Sequence, residues 1–136
     1  MKTFTILKPD TVAAGKAGAV LREIENAGFR ICATKMLHLT EKEAEGFYYV
    51  HKQRPFFGSL VKFMTEGPII AMVLEADNAI ERLRKVMGAT DPAKAEDGTI
   101  RKQFGANIER NAIHGSDGPE TAAFEIAYFF NRLEIF

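Results

Sequence analysis

The sequence predicts an α+β domain of the split βαβ, ferredoxin-like kind: a four-stranded, mainly antiparallel sheet with helices packed on it. Three observations carry this expectation. Period-two alternation, first over Thr3–Ile6 and again from Phe29 to Leu39, is interleaved with segments of helical spacing. The run from Ile69 to Leu74 is apolar throughout, as a buried central strand requires. The resulting order, β-α-β-(α)-β-α-β-α, becomes the split βαβ plan with helices on one face once the extra helical pieces are set aside.

Each element has a local cause. Phe4 and Ile6 alternate with Thr3 and Thr5 to give the first strand; Lys8 continues the row of Phe4 and Ile6, and Pro9 ends the ladder. Val20, Ile24 and Ala27 recur at helical spacing before Gly28, a natural C-terminal stop. Phe29 to Leu39 forms the second strand. Thr40-Glu41-Lys42-Glu43 is a capping box, opening a helix with Ala44, Phe47, Tyr48 and His51 on one side. After Arg54-Pro55-Phe56-Phe57 breaks the pattern, a short helix runs through Leu60, Phe63 and Met64. Gly67-Pro68 turns into the central strand, and a helix follows from about Asn78 to Met87. Residues 88–110, with Gly88, Pro92, Gly98 and Gly105, form the longest irregular stretch, and irregular stretches of that length inside a domain are usually functional. A short strand lies around Asn111 to His114. The last helix begins after Ser116-Asp117-Gly118-Pro119-Glu120, where Asp117 can cap and Pro119 suits the first turn.

Composition narrows the function classes. A chain of 136 residues with 46% hydrophobic and 26% charged residues is one globular domain, residues 1–136. Its 18 basic and 18 acidic residues cancel, which argues against a general nucleic-acid binder. Cys32 is the only cysteine, so neither an intrachain disulfide nor a cysteine-based metal cluster can form. The opening stretch reaches Lys8 too soon for a signal peptide, and no apolar run approaches the roughly 18 residues of a membrane span. A cytoplasmic, reducing setting is expected.

Neither G-x-x-x-x-G-K-[ST] nor G-x-G-x-x-G after a strand occurs, so phosphate would be bound by dispersed side chains: Lys8, Arg54, Arg84, Arg101 and Arg110, with Thr90 and Asn111. The sharpest local feature is Asn111-Ala112-Ile113-His114-Gly115-Ser116-Asp117. It sets an imidazole at a strand end, then a glycine that permits a tight turn or a ligand's approach, then a helix start suited to anions. Taken by itself, a histidine such as His114 is more often structural or on the surface than catalytic. Tyr48 and Phe56 read as core aromatics, Glu125 as a solvated carboxylate at the edge of the last helix's apolar stripe, and Arg84 as a charge on a solvated helix face. The three histidines lack zinc-site spacing.

The segment Asn111-x-x-His114-Gly115-Ser116-Asp117 resembles the active-site signature of nucleoside diphosphate kinases. The resemblance spans the chain: Lys8-Pro9-Asp10, Arg54-Pro55-Phe56-Phe57, Gly67-Pro68, Met87-Gly88-Ala89-Thr90 with Pro92, and Gly98-Thr99-Ile100-Arg101 fall in the family's order and near its spacing. It implies reversible, Mg2+-dependent transfer of a γ-phosphoryl group from an NTP to an NDP. His114 would be the nucleophile and become a pros-phosphohistidine. Lys8, Tyr48, Arg84, Thr90, Arg101 and Asn111 would surround phosphates and ribose, Phe56 would stack on the base, and Ser116 and Glu125 would hold the histidine ring. It also implies a homo-oligomer, a tetramer or hexamer built from dimers. Lys102 departs from the family's glycine after the arginine, Gly118-Pro119 from a serine-containing pair, and the chain has no tryptophan.

This chemistry suits the residues. Phosphohistidine keeps a labile P–N bond, as a reversible exchange requires, and an imidazole near neutral pH has a free lone pair. Lys8 supplies a point charge, and Arg84 and Arg101 forked donors. No carboxylate cage is evident, so Mg2+ would arrive on the nucleotide, held by phosphates and water rather than by protein ligands. The rival readings are an RNA-binding domain, which would need sheet-face aromatics and a basic surface, and a ferredoxin-like nucleotide-binding regulatory module without turnover.

Overall fold

The computed structural model describes residues 1–136. Four strands, β1 (Lys2–Leu7), β2 (Arg30–Leu37), β3 (Ile69–Glu75) and β4 (Ile113–Gly115), form one sheet in the order β2-β3-β1-β4. Every neighbouring pair is antiparallel, which is the split βαβ arrangement the element order predicts. The helices are α1 (Pro9–Ala13), α2 (Ala17–Asn26), α3 (Glu41–Phe47), α4 (Phe57–Met64), α5 (Ala79–Met87), α6 (Ile100–Phe104) and α7 (Pro119–Phe129).

The sheet is covered on both faces, not one. On one side Leu7, Ile70, Met72, Leu74 and Ile113 pack with Val20 and Ile24 of α2 and Ala79, Leu83 and Met87 of α5. On the other, Phe4, Ile6, Ala71 and Val73 meet Ala44 and Phe47 of α3, Val61, Phe63 and Met64 of α4, and Phe129 of α7. The pieces set aside in reading the sequence are what build this second layer. Two covered faces also explain why β3 is apolar at every position but its last, and why Thr3 and Thr5 are fully buried instead of facing water.

Several boundaries differ from expectation for local reasons. Residues 9–13 make a helical turn, because a proline at the first position needs no amide partner there. The capping box at Thr40 forms, with Thr40 Oγ1 accepting from Glu43 N and Glu43 Oε1 from Thr40 N, but α3 ends at Phe47. Tyr48 is therefore a helix end, and His51 lies in the 3-10 turn Tyr49–His51. The stretch 88–110 is less irregular than its glycines suggest. It holds a 3-10 turn, Pro92–Lys94, capped by Asp91, and α6, capped by Thr99. Lys102 is simply an exposed residue of α6. Asp117 is not the cap of α7; Gly118 is, and its amide donates to Thr121 Oγ1 at 3.0 Å.

Candidate active site

His114 is the middle residue of β4 and pairs with Ile6 of β1, so its ring emerges on the face that carries Phe4 and Ile6. The Thr5 hydroxyl steadies this short strand by donating to the His114 carbonyl at 2.6 Å. Gly115, expected to free a turn or admit a ligand, instead admits a helix: a Cβ there would lie 2.6 Å from the Met87 sulfur of α5.

Around the imidazole stand Phe47, Phe4 and Tyr48, with ring centroids 5.4, 6.2 and 6.3 Å away. Nε2 lies 2.9 Å from Glu125 Oε1, and the same oxygen accepts the Ser116 hydroxyl at 2.6 Å. The amphipathic pattern of α7 suggested a solvated carboxylate at Glu125, yet Glu125 is only 9% exposed and Ser116 only 1%. Such a carboxylate holds a proton on Nε2 and leaves the lone pair on Nδ1. The Tyr48 hydroxyl is buried without a partner. Burial first, and the Glu125 charge second, push its ionisation far above the ordinary phenol range, so it remains a donor.

The cations gather on the backbone beside the histidine. Lys8 follows β1 and is 7% exposed; its Nζ donates to Asn111 Oδ1 at 2.8 Å and to the Glu109 carbonyl at 3.5 Å. Burial, and then the charge of Arg101, lower its pKa to about 8, against the opposing pull of Asp10 and Glu109. Asn111 Nδ2 in turn donates to the Thr90 carbonyl at 3.0 Å, so Thr90 joins the network through its backbone while its side chain stays exposed. Arg101 of α6, also 7% exposed, donates to the Gly88 carbonyl at 3.1 Å and the Ile113 carbonyl at 2.8 Å, while its Nε is buried without a partner. Burial and the neighbouring Arg84 lower its pKa to about 10. Lys8 and Arg101 thus stand close to each other, and neither forms a salt bridge with a carboxylate. Buried positive charge without a paired carboxylate is what a polyphosphate would neutralise.

Not every expected residue converges. Arg84 is exposed on α5 and reaches the cluster through its field on Arg101. Phe56, at 47% exposed, is linked to the histidine only through a chain of rings: His51 at 5.5 Å, Tyr48 6.4 Å beyond it, then His114. Arg54 is exposed, and Arg110 is engaged by Glu66 at 2.6 Å. Two participants carry no role in the sequence pattern. One is Asp10, whose Oδ2 accepts the Ala112 amide at 3.1 Å. The other is Ala112 itself, whose φ of +76° lies in the left-handed region, at a cost of about 1–3 kcal/mol for a residue with a Cβ. The aspartate's place in Lys8-Pro9-Asp10 is the available signal; the strained alanine gives none.

Known proteins resemble the chain along nearly its whole length. The family model described as nucleoside diphosphate kinase matches residues 1–135. The nucleoside diphosphate kinase of Geotalea uraniireducens is 58% identical over 134 residues, which cover 98% of each chain. That of Nitratidesulfovibrio vulgaris is 57% identical, over 98% of this chain and 96% of its own. Among solved structures, the Aquifex aeolicus nucleoside diphosphate kinase superposes with a TM-score of 0.97 at 46% identity, covering 99% of this chain and 98% of that one. The Halobacterium salinarum nucleoside diphosphate kinase, solved in complex with CDP, gives a TM-score of 0.96 at 38% identity, over 100% of this chain and 91% of that one.

Proposed function

The chain belongs to the nucleoside diphosphate kinase family, enzymes that pass a γ-phosphoryl group reversibly from an NTP to an NDP, and from that premise we propose how its residues carry the reaction. Nδ1 of His114 attacks the γ-phosphorus while the bond to the β-γ bridging oxygen breaks, and the NDP leaves. A second NDP then takes the phosphoryl group from the pros-phosphohistidine by the reverse path, in a ping-pong cycle. The observation that carries this reading is the Nε2–Glu125 hydrogen bond of 2.9 Å beside two buried cations that have no carboxylate partner. Glu125 orients the ring and stabilises the charge it develops on phosphorylation, and Ser116 orients Glu125. Lys8, Arg101 and Arg84 neutralise the polyphosphate, since phosphoryl transfer asks for positioning and charge compensation. Tyr48 donates to phosphate oxygen, Asn111 and Thr90 face the phosphates and ribose, and Phe56 stacks on the base.

A kinase of nucleotides works with a divalent cation, and we assign that role to Mg2+. No three His, Cys, Asp or Glu side chains gather to hold a metal, so the donor set fits an ion carried on the nucleotide by phosphates and water. Bound there, it would neutralise phosphate charge. We read residues 1–136 as one catalytic domain acting in the cytoplasm; no helix is long and apolar enough to cross a membrane. We also propose a homo-oligomer, a tetramer or hexamer built from dimers. Its support is an exposed aromatic cluster, Tyr49, Phe124 and Tyr128 at 56%, 39% and 38% exposure, with rings 5.5 and 5.7 Å apart. A monomer by light scattering at micromolar concentration would refute the oligomer.

The test of the chemistry is direct. Incubation with γ-labelled ATP and Mg2+ without acceptor should give an acid-labile, alkali-stable phosphate on the protein, which any NDP discharges. Label that persists in His114→Ala would overturn the assignment.

A further inference from the structure

We propose that Asp10 is a positioning residue for the phosphoryl transfer: by pinning the Ala112 peptide it sets Lys8, Asn111 and Arg101 in register with His114. The inference rests on the reading of His114 as nucleophile and Lys8 as phosphate ligand.

The geometry is a clamp closed by one short segment. Asp10 Oδ2 accepts the Ala112 amide at 3.1 Å. The Ala112 carbonyl accepts from the Lys8 amide at 2.9 Å and from the Thr11 hydroxyl at 2.9 Å. Residues 8–11 therefore hold both sides of one residue, and that residue is the left-handed Ala112. Without the clamp, an alanine would relax toward negative φ.

What the pinned residue separates is informative. Immediately before it stands Asn111, whose side chain receives Lys8 Nζ; immediately after it stands Ile113, whose carbonyl receives Arg101, and then His114. Rotation at Ala112 would move the lysine's anchor relative to the arginine's, and both relative to the nucleophile. Small misplacements of reacting groups lose rate steeply.

Asp10 also has a charge to contribute. Its Oδ1 is buried without a partner, and its negative charge raises the pKa of Lys8 against the lowering by burial and Arg101. The charged groups facing Lys8 are Arg101 from α6, Asp10 from α1 and Glu109 from the 105–111 segment, with Arg110 over the same Phe63 ring. Lys8 is charged below about pH 8 and loses its charge above it. Removing the Asp10 charge must therefore move that loss to lower pH.

Two substitutions divide these roles. Asp10→Ala removes both acceptor and charge; Asp10→Asn keeps an acceptor for the Ala112 amide and removes only the charge. The measurements are the single-turnover rate of His114 phosphorylation by MgATP, the pH profile of kcat/KM, and hydrogen exchange at the Ala112 amide. Asp10→Ala should slow phosphorylation about tenfold or more, and expose the Ala112 amide to exchange. Asp10→Asn should recover most of the rate and the protection, yet show an alkaline limb displaced downward by about half a pH unit or more. A purely structural role would lower Tm without moving that limb. If both variants phosphorylate within twofold of wild type and share its pH profile, the proposal is overturned. If Asp10→Ala fails to fold, Asp10→Ser decides by the same rate and exchange: slowed phosphorylation with an exposed Ala112 amide supports the proposal, and wild-type values of both overturn it. Wild-type labelling is the internal control, because its absence would sink the reading of His114 itself and not the role of Asp10.

Discussion

Replacing Ser116 and Glu125 by alanine, singly and together, tests whether the three residues act in series. Glu125 Oε1 takes both the His114 Nε2–H at 2.9 Å and the Ser116 hydroxyl at 2.6 Å. A hydrogen bond to a charged group contributes about 1.5–3 kcal/mol, and each 1.36 kcal/mol is tenfold in rate. Glu125→Ala should therefore slow phosphorylation of His114 by roughly 10- to 150-fold. Ser116 makes no hydrogen bond to the imidazole; the other acceptor of its hydroxyl is the Phe4 carbonyl at 3.5 Å. Its loss leaves the carboxylate charged but less well aimed, at about 0.5–1.5 kcal/mol, or roughly 2- to 12-fold. With Glu125 gone, the serine has nothing left to orient. The double variant should match Glu125→Ala, and the coupling energy should equal the whole effect of Ser116→Ala. Rapid-quench measurement of the phosphoenzyme in a single turnover isolates this step from nucleotide release. Losses that multiply in the double variant would refute the serial arrangement.

Arg101 and Arg84 should separate by stability. Arg101→Ala should lose on the order of 10²–10³ in rate, and also several degrees in Tm, because the Gly88 and Ile113 carbonyls lose their donor; Arg84→Ala should lose rate at unchanged Tm. Lys8 should leave a signature in stability against pH. Its pKa is about 8 in the folded chain against the ordinary lysine value of 10.5 in the unfolded one, so between those values the unfolded chain binds the extra proton and stability rises with pH. Urea unfolding at pH 7 and pH 10 should show that rise in wild type, and Lys8→Met should lack about 2–3 kcal/mol of it. Base tolerance should be broad: Phe56 can stack on a base but cannot read its edge, so kcat/KM for ATP, GTP, CTP and UTP should spread by no more than about two orders of magnitude. Phe56→Ala should narrow that spread, and a 10⁴-fold preference for one base would reveal an edge-reading group.

Local pattern made the strands and helices legible where one physical rule governed a segment. The Thr40 capping box and the six buried residues from Ile69 to Leu74 needed no tertiary information. What failed depended on partners distant in the chain. Thr3 and Thr5 look like the water-facing row of β1 until α2 and α5 cover them. Glu125 looks solvated until β1 and Ser116 enclose it. Among the site residues, His114, Ser116 and Asn111 lie within one hexapeptide and could be read together. Lys8, 103 residues from Asn111, could be placed only by family resemblance. Asp10 showed only as a member of Lys8-Pro9-Asp10, without its role, and Ala112 remained hidden, since a positive φ at alanine has no sequence signature.

The hidden features also explain one another. Four buried side-chain polar atoms lack a partner: Tyr48 Oη, on a ring 6.3 Å from that of His114; Asp10 Oδ1 and Arg101 Nε, on side chains that bond the Ala112 amide and the Ile113 carbonyl just before that histidine; and Thr3 Oγ1. Beside them are a left-handed alanine and a lysine whose charge is disfavoured by burial. Each of these features is unfavourable in the free enzyme, and scattered through the core they would be defects. Of these, the unpartnered donors and the buried cations share a remedy in the proposed reaction, while the Asp10 carboxylate and the left-handed Ala112 belong to the clamp that positions them. In the reaction we propose, a polyphosphate would bring negative charge to Lys8 and Arg101 and acceptor oxygens to Tyr48 and the Arg101 Nε–H. The fold tolerates the strain because two apolar layers on a four-stranded sheet supply stability elsewhere. Donors already oriented before substrate arrives need no reorganisation as charge shifts along the γ-phosphoryl group, and on the mechanism we propose that is the property that accelerates its transfer.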